Sequence, residues 1–159
     1  MTGETSAAED ALLAAQAEAL ADGIVAALPG WVEASVARLA LAWSGAVRPE
    51  VAAAAAAAGA AAQAAIGPEV RALLAQDVDD QRTTPLALAR GAVPFATDVL
   101  RAIGVPPVVR DAQAAERFPD DDYDLTPGTF SDLDPALAEP GLAWGAAKAY
   151  VVLARRRGR

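Results

Sequence analysis

Cysteine and histidine are both absent from the 159 residues. Without cysteine there is no disulfide framework, no thiol nucleophile, no iron–sulfur ligation and no structural zinc of the usual kind. Without histidine there is no Ser-His-Asp triad, no histidine-ligated metal and no standard Glu-x-x-His di-iron motif. Lysine occurs once, at Lys148, and aromatics make up 5% of the chain. No glycine-rich phosphate loop follows a strand, so a nucleotide site has no support. Carboxylates, arginines, hydroxyls, one lysine and two tyrosines are left for chemistry. No cofactor and no metal are expected, and an enzyme is less expected than a binding protein.

What the chain has instead is alanine, at 44 positions, within a hydrophobic content of 54%. The length suits one domain spanning 1–159, and a chain of this size buries roughly 68–70% of its unfolded surface. Acids outnumber bases 21 to 13, for a net charge of −8. Four of those bases lie in a short basic tail, 155–159, which leaves residues 1–154 at −12. A body this acidic repels phosphate backbones and favours basic partners, so no nucleic acid is expected. The Met1–Asp10 stretch holds Glu4, Glu9 and Asp10 and no base, the reverse of a signal peptide. The uncharged Val51–Pro68 segment is mostly alanine and reads as a tightly packed helix rather than a membrane span. No membrane association and a cytoplasmic location follow as expectations.

Nearly every segment reads as helix. Ser6 and Glu9 form a capping-box pattern before a stripe of Leu13, Ala17, Leu20, Ile24 and Leu28. Pro29-Gly30 is expected to stop that helix, and Trp31–Ser44 to form a second one. Pro49-Glu50 opens an alanine-rich rod to about Ile66, and Gly67-Pro68 predicts a break before a fourth helix over 68–78. Thr84 and Pro85 start a fifth, expected to kink near Gly91–Pro94 and to end at Gly104. A short helix over 110–117, an Asp/Pro-rich loop near 118–140 and a last helix from Pro140 to about Arg156 complete the chain. No strand-like alternation appears. The fold class is therefore all-α, a single-domain irregular bundle of about five to seven helices, with Trp31, Trp43 and Trp144 as core anchors.

Two acidic clusters carry the candidate interaction residues. Asp77, Asp79, Asp80, Gln81, Arg82 and Thr83 sit at a helix junction, where acids oppose the helix dipole unless they pair or serve a function. In the later loop, Phe118, Asp120, Asp121 and Tyr123 combine charge with aromatic groups, and Asp122 and Asp124 extend the acidic run. Alternating carboxylates suggest a calcium loop, but counting from Asp120 puts Leu125 where glycine is needed and Ser131 where glutamate is needed. A solvated loop that holds Phe118, Tyr123, Leu125 and Phe130 against the body is the plainer reading. Trp144 and Lys148 on the last helix complete the candidates.

Several strings resemble those of small acidic actinobacterial proteins of unassigned function. They are Asp80-Gln81-Arg82-Thr83-Thr84-Pro85-Leu86, Val105-Pro106-Pro107-Val108-Val109-Arg110-Asp111, Phe118-Pro119-Asp120-Asp121, Asp134-Pro135, and Glu139-Pro140-Gly141-Leu142-Ala143-Trp144-Gly145-Ala146-Ala147-Lys148-Ala149. The resemblance covers about residues 70–155. It implies a bacterial, cytosolic helical protein and carries over no substrate or catalytic residue. The function expected is protein binding, as an adaptor. The alternative is a small-ligand or divalent-cation-dependent enzyme using carboxylate and arginine chemistry. A closed pocket joining the two acidic clusters would favour the enzyme, and an exposed apolar patch rimmed by charge would favour the adaptor.

Overall fold

A computed structural model describes residues 2–75 and 84–138. The described residues are all-helical, with no strand among them. Helix α1 spans Thr2–Ser44 and α2 spans Pro49–Ala75. Then come α3 (Pro85–Ala89), a 3-10 turn over Arg90–Ala92, α4 (Val93–Ala102) and α5 (Ala112–Arg117). Two further 3-10 turns, Phe130–Asp132 and Pro135–Leu137, lie in the segment after α5.

The expected stops at Pro29-Gly30 and Gly67-Pro68 do not occur, and four predicted helices fuse into two. With α3 and α4 continuing through one kinked run, the described residues hold four helical bodies, short of the five to seven expected. The physical reason lies in where each proline's freed carbonyl goes. Pro29 has no amide hydrogen, so the carbonyl four residues earlier, on Val25, loses its helical donor. Gln63 Nε2 on α2 donates to that oxygen at 3.0 Å. Partnered in this way, the backbone stays helical across the proline. Pro68 solves the same problem with solvent, because both it and Ala64, whose carbonyl it frees, are exposed.

Helices α1 and α2 form a long antiparallel hairpin joined by residues 45–48. Gly45 ends α1 at φ +76°, a left-handed conformation that suits glycine. Small residues let the two backbones come close. A Cβ on Gly59 would lie 2.9 Å from both Cα and O of Pro29, and one on Gly67 would lie 3.3 Å from a Val25 methyl. The hairpin is also tied by an ion pair between Arg71 and Asp22 at 2.6 Å.

The predicted stripe of α1 is the core. Ala17, Leu20, Ile24, Leu28, Val32 and Val36 are buried, facing Val51, Ala55, Ala62, Ile66 and Val70 of α2. Helix α4 packs on both long helices and contributes Val93, Ala96 and Leu100. Thr84 caps α3, its hydroxyl accepting from the Ala87 amide at 3.1 Å, with Pro85 in the first turn. The expected kink falls at the 3-10 turn before Pro94. Gly104, at φ +82°, closes α4 with bonds from its own amide to Arg101 O and from Val105 N to Leu100 O.

Trp31 is a core anchor, 7% exposed, but Trp43 is not: half of its surface is open. It sits in the last turn of α1, at the hairpin end. Trp144 and the predicted last helix lie outside the described residues.

A second difference concerns apolar length. The sequence singles out one span-like segment. Fusion of the helices makes two that are long and apolar enough to cross a membrane by length and composition, Ala7–Ser44 and Pro49–Leu73.

Candidate functional site

The segment after α4 leaves Gly104 as an extended run, Val105 to Val109, and returns beside it through residues 120–125. Val108 N donates to Asp122 O at 2.9 Å, and Tyr123 Oη donates to Val105 O at 2.6 Å. Arg101 reaches from the last turn of α4 to the Asp122 carboxylate, with Nε at 3.1 Å. The Tyr123 hydroxyl is held above its ordinary pKa chiefly by burial; Arg101 opposes that shift and Asp122 reinforces it.

Arg110 organises the turn between α5 and the loop. Its guanidinium donates to the carbonyls of Ala114 and Phe118 at 2.9 Å each, and to that of Asp121. These are charge-assisted bonds from a planar donor to three backbone acceptors, so the 114–121 turn is fixed from inside. Asp111 caps α5 through the Ala114 amide at 2.8 Å.

The loop aspartates are mostly occupied in local structure. Asp121 accepts from Leu125 N at 2.8 Å, Thr126 N at 2.6 Å and Thr126 Oγ1 at 2.5 Å. Asp132 accepts from Gly128 N and Thr129 N, and Asp134 from Ala136 N. Carboxylates that accept backbone amides act as caps and turn locks.

These positions sort the candidate residues. Asp121, a candidate interaction residue, is 2% exposed and serves the loop's own interior, which corrects that expectation. Tyr123, also a candidate, is 2% exposed and faces inward, as the plainer reading of the loop had it. Asp120 is exposed and Phe118 is half-buried. Asp77, Asp79, Asp80, Gln81, Arg82, Thr83, Trp144 and Lys148 lie outside the described residues. Leu125 and Phe130 are buried against the body, as the plainer reading of the loop had them.

The open apolar surface is elsewhere. Leu41 (53%), Trp43 (50%), Val47 (36%), Val108 (45%) and Val109 (98%) are large apolar side chains left exposed. The first three belong to the hairpin end, the last two to the extended run after α4. Gly104, where the extended run begins, lies next to Trp43: a Cβ built there would be 3.7 Å from Trp43 Cη2. Ion pairs flank this end, Arg48 with Glu50 at 3.5 Å and Arg101 with Asp122 and Asp98. Sequence reasoning assigned Trp43 to the core and named Val109 only within one of the strings that resemble actinobacterial proteins. An isolated Trp two residues before Gly45 was the available signal, since a helix end has fewer neighbours to bury it.

Two clefts adjoin the loop. One, of about 460 Å³, runs between α1 and residues 124–133, with Trp31, Ser35 and Arg38 on one wall and Asp124 and Leu125 on the other. Asp124 holds φ +57° there, uncommon for a residue with a side chain but tolerated by aspartate. The other, of about 290 Å³, lies between the start of α4 and residues 117–121. Comparison of the chain with protein-family models, with curated proteins and with solved structures finds no match.

Proposed function

We propose that the protein is a non-enzymatic protein-binding module, an adaptor, that docks its partner on the apolar end of the α1–α2 hairpin. The observation that carries this reading is Trp43, half exposed beside a run that ends in the almost fully exposed Val109. Tryptophan at the centre of a contact supplies a large apolar face at small entropic cost, and interfaces concentrate their energy in such residues. The flanking ion pairs supply a polar rim. The net charge of −8 favours a partner with basic residues around its apolar contact.

The setting proposed is water, in the cytoplasm. Glu18, Asp22 and Glu33 on α1, with Glu69 and Arg71 on α2, are exposed along the two apolar helices. Ionised groups in such places suit the surface of a soluble hairpin better than a lipid interior.

The test is a double variant, Trp43→Ser with Val109→Asp, used as bait in affinity purification from the native host beside the unaltered chain. Specific co-purifying proteins should be lost from the variant. Val109 is almost fully exposed, and its change should move stability by no more than about 0.5 kcal/mol. Trp43→Ser also gives up the buried half of the indole, about 2–3 kcal/mol, so the variant's fold is checked by circular dichroism. Retention of the same partners by a folded variant would refute docking at this end.

A further inference from the structure

The smaller cleft holds a feature that the docking surface does not use. Arg90 and Arg117 both lie against the ring of Phe118, their guanidinium carbons 5.3 and 5.4 Å from its centroid. The two cations therefore stand within about 11 Å of each other. Neither pairs with an acid among the described residues. In a chain where acids outnumber bases so heavily, two arginines on one ring with no ion pair among the described residues are an unusual arrangement. Arg90 also keeps a buried Nε with no hydrogen-bond partner among the described residues.

The surroundings favour an anion. Val93, Pro94 and Pro119 line the cleft beside the arginines, and apolar walls strengthen charge interactions by excluding water. Of the two aspartates at the cleft, Asp121 has its oxygens committed to Leu125 and Thr126. Asp120 is exposed at the edge. Arg110 holds the 118–121 backbone in place through the Phe118 and Asp121 carbonyls, so the wall carrying Phe118 is set before any ligand arrives.

We propose that this cleft binds a compact dianionic oxyanion, a phosphate monoester or a dicarboxylate, between the guanidinium groups of Arg90 and Arg117. Two cations match two negative charges. Planar guanidinium groups bind carboxylate and phosphate oxygens in the same forked geometry. A volume of about 290 Å³ leaves room for a small organic body on the anion. Cation–π contact with Phe118 draws both guanidinium groups to one ring, and Arg90 Nε has no hydrogen-bond partner among the described residues.

Titration calorimetry on the full chain tests this, with inorganic phosphate and succinate as separate probes and chloride at matched ionic strength as control. Low salt is required because screening weakens exposed charge pairs. At least one probe should bind with one site per chain in the millimolar range or tighter. Phosphate alone would assign the phosphate ester, and succinate alone the dicarboxylate. Arg117→Gln, at an exposed position, should weaken binding by about tenfold or more without shifting the melting temperature. Arg90→Lys keeps the charge but loses the fork and should weaken it as well. Asp120→Asn removes a repelling charge and should tighten it, an effect that a purely structural role for the arginines would not produce. Failure of both probes to bind, or unchanged affinity in a folded Arg117→Gln variant, would overturn the proposal.

Discussion

Tyr123 shows how one side chain ties the irregular half of the molecule to the helical half. Its ring is buried and its hydroxyl donates to Val105 O, so the returning segment of the loop is held against the exit from α4. Tyr123→Phe keeps the ring and removes that bond; an expected loss of about 1 kcal/mol at neutral pH should appear in urea unfolding. The raised pKa adds a dependence on alkaline pH. Above an unfolded-state value of 10.0, the unfolded chain loses the proton that the folded chain still holds. The folded state then binds more protons, and stability falls as pH rises from there. The fall should be smaller in Tyr123→Phe; an identical alkaline limb would show that Tyr123 is not its source. The sequence left Tyr123 open between a partner contact and a group holding the loop to the body, because aromatic and acidic neighbours look alike whether they face inward or outward. Arg110 was passed over for the opposite reason: nothing around a lone arginine says that three backbone carbonyls will converge on it.

Among the helices, the outcome turned on prolines. A proline inside a helical pattern predicts a stop from local chemistry alone, at a cost of about 3 kcal/mol or more in an isolated helix. In α1 that cost is offset by a donor 38 residues away, Gln63, and by the close fit of Gly59 on Pro29. The glycines of the hairpin should therefore respond in opposite directions. Gly59→Ala places a methyl 2.9 Å from the Pro29 backbone, which cannot swing aside as a side chain would. It should destabilise by about 1–3 kcal/mol despite alanine's higher helix propensity. At Gly30 nothing lies within 4 Å of the added methyl, and Gly30→Ala should stabilise by about 1 kcal/mol. Thermal unfolding of the two variants decides the matter, and equal shifts of the same sign would show that Gly59 is not a contact point. The predicted caps divide: Thr84 before Pro85 acts where the pattern put it, whereas Ser6, read with Glu9 as a capping box, lies inside α1, which begins at Thr2. Capping depends on atoms two or three residues away, whereas helix continuation across a proline depends on a second helix.

For the whole molecule, the two fused helices raise the question of solvent. Both are long and apolar enough to cross a bilayer, yet only a third of each apolar window is buried within the fold. Alanine resolves much of this, since a methyl exposed to water costs little compared with an exposed leucine. Exposed charges such as Glu33 and Arg71 would each cost about 2.5–3.5 kcal/mol at the centre of a bilayer helix. The full chain expressed without detergent should stay in the supernatant of a high-speed spin and elute from gel filtration free of lipid. Recovery in a membrane pellet that resists alkaline carbonate washing would mean the helices span.

The all-helical class, the buried stripe from Ala17 to Val36, the Thr84 cap and the kink before Pro94 are properties of the sequence itself. Periodicity, propensity and capping act over a few residues and can be read there. What only the tertiary structure decided depends on contacts far apart in the chain. Gln63 meeting Val25 made one helix of two. The packing of the hairpin left Trp43, in the last turn of α1, half exposed. The fold brought Arg90 and Arg117, 27 positions apart, onto one phenylalanine ring. Local rules specify the pieces because local energies are large per residue, and function was hidden because it depends on which surfaces the packed pieces leave uncovered.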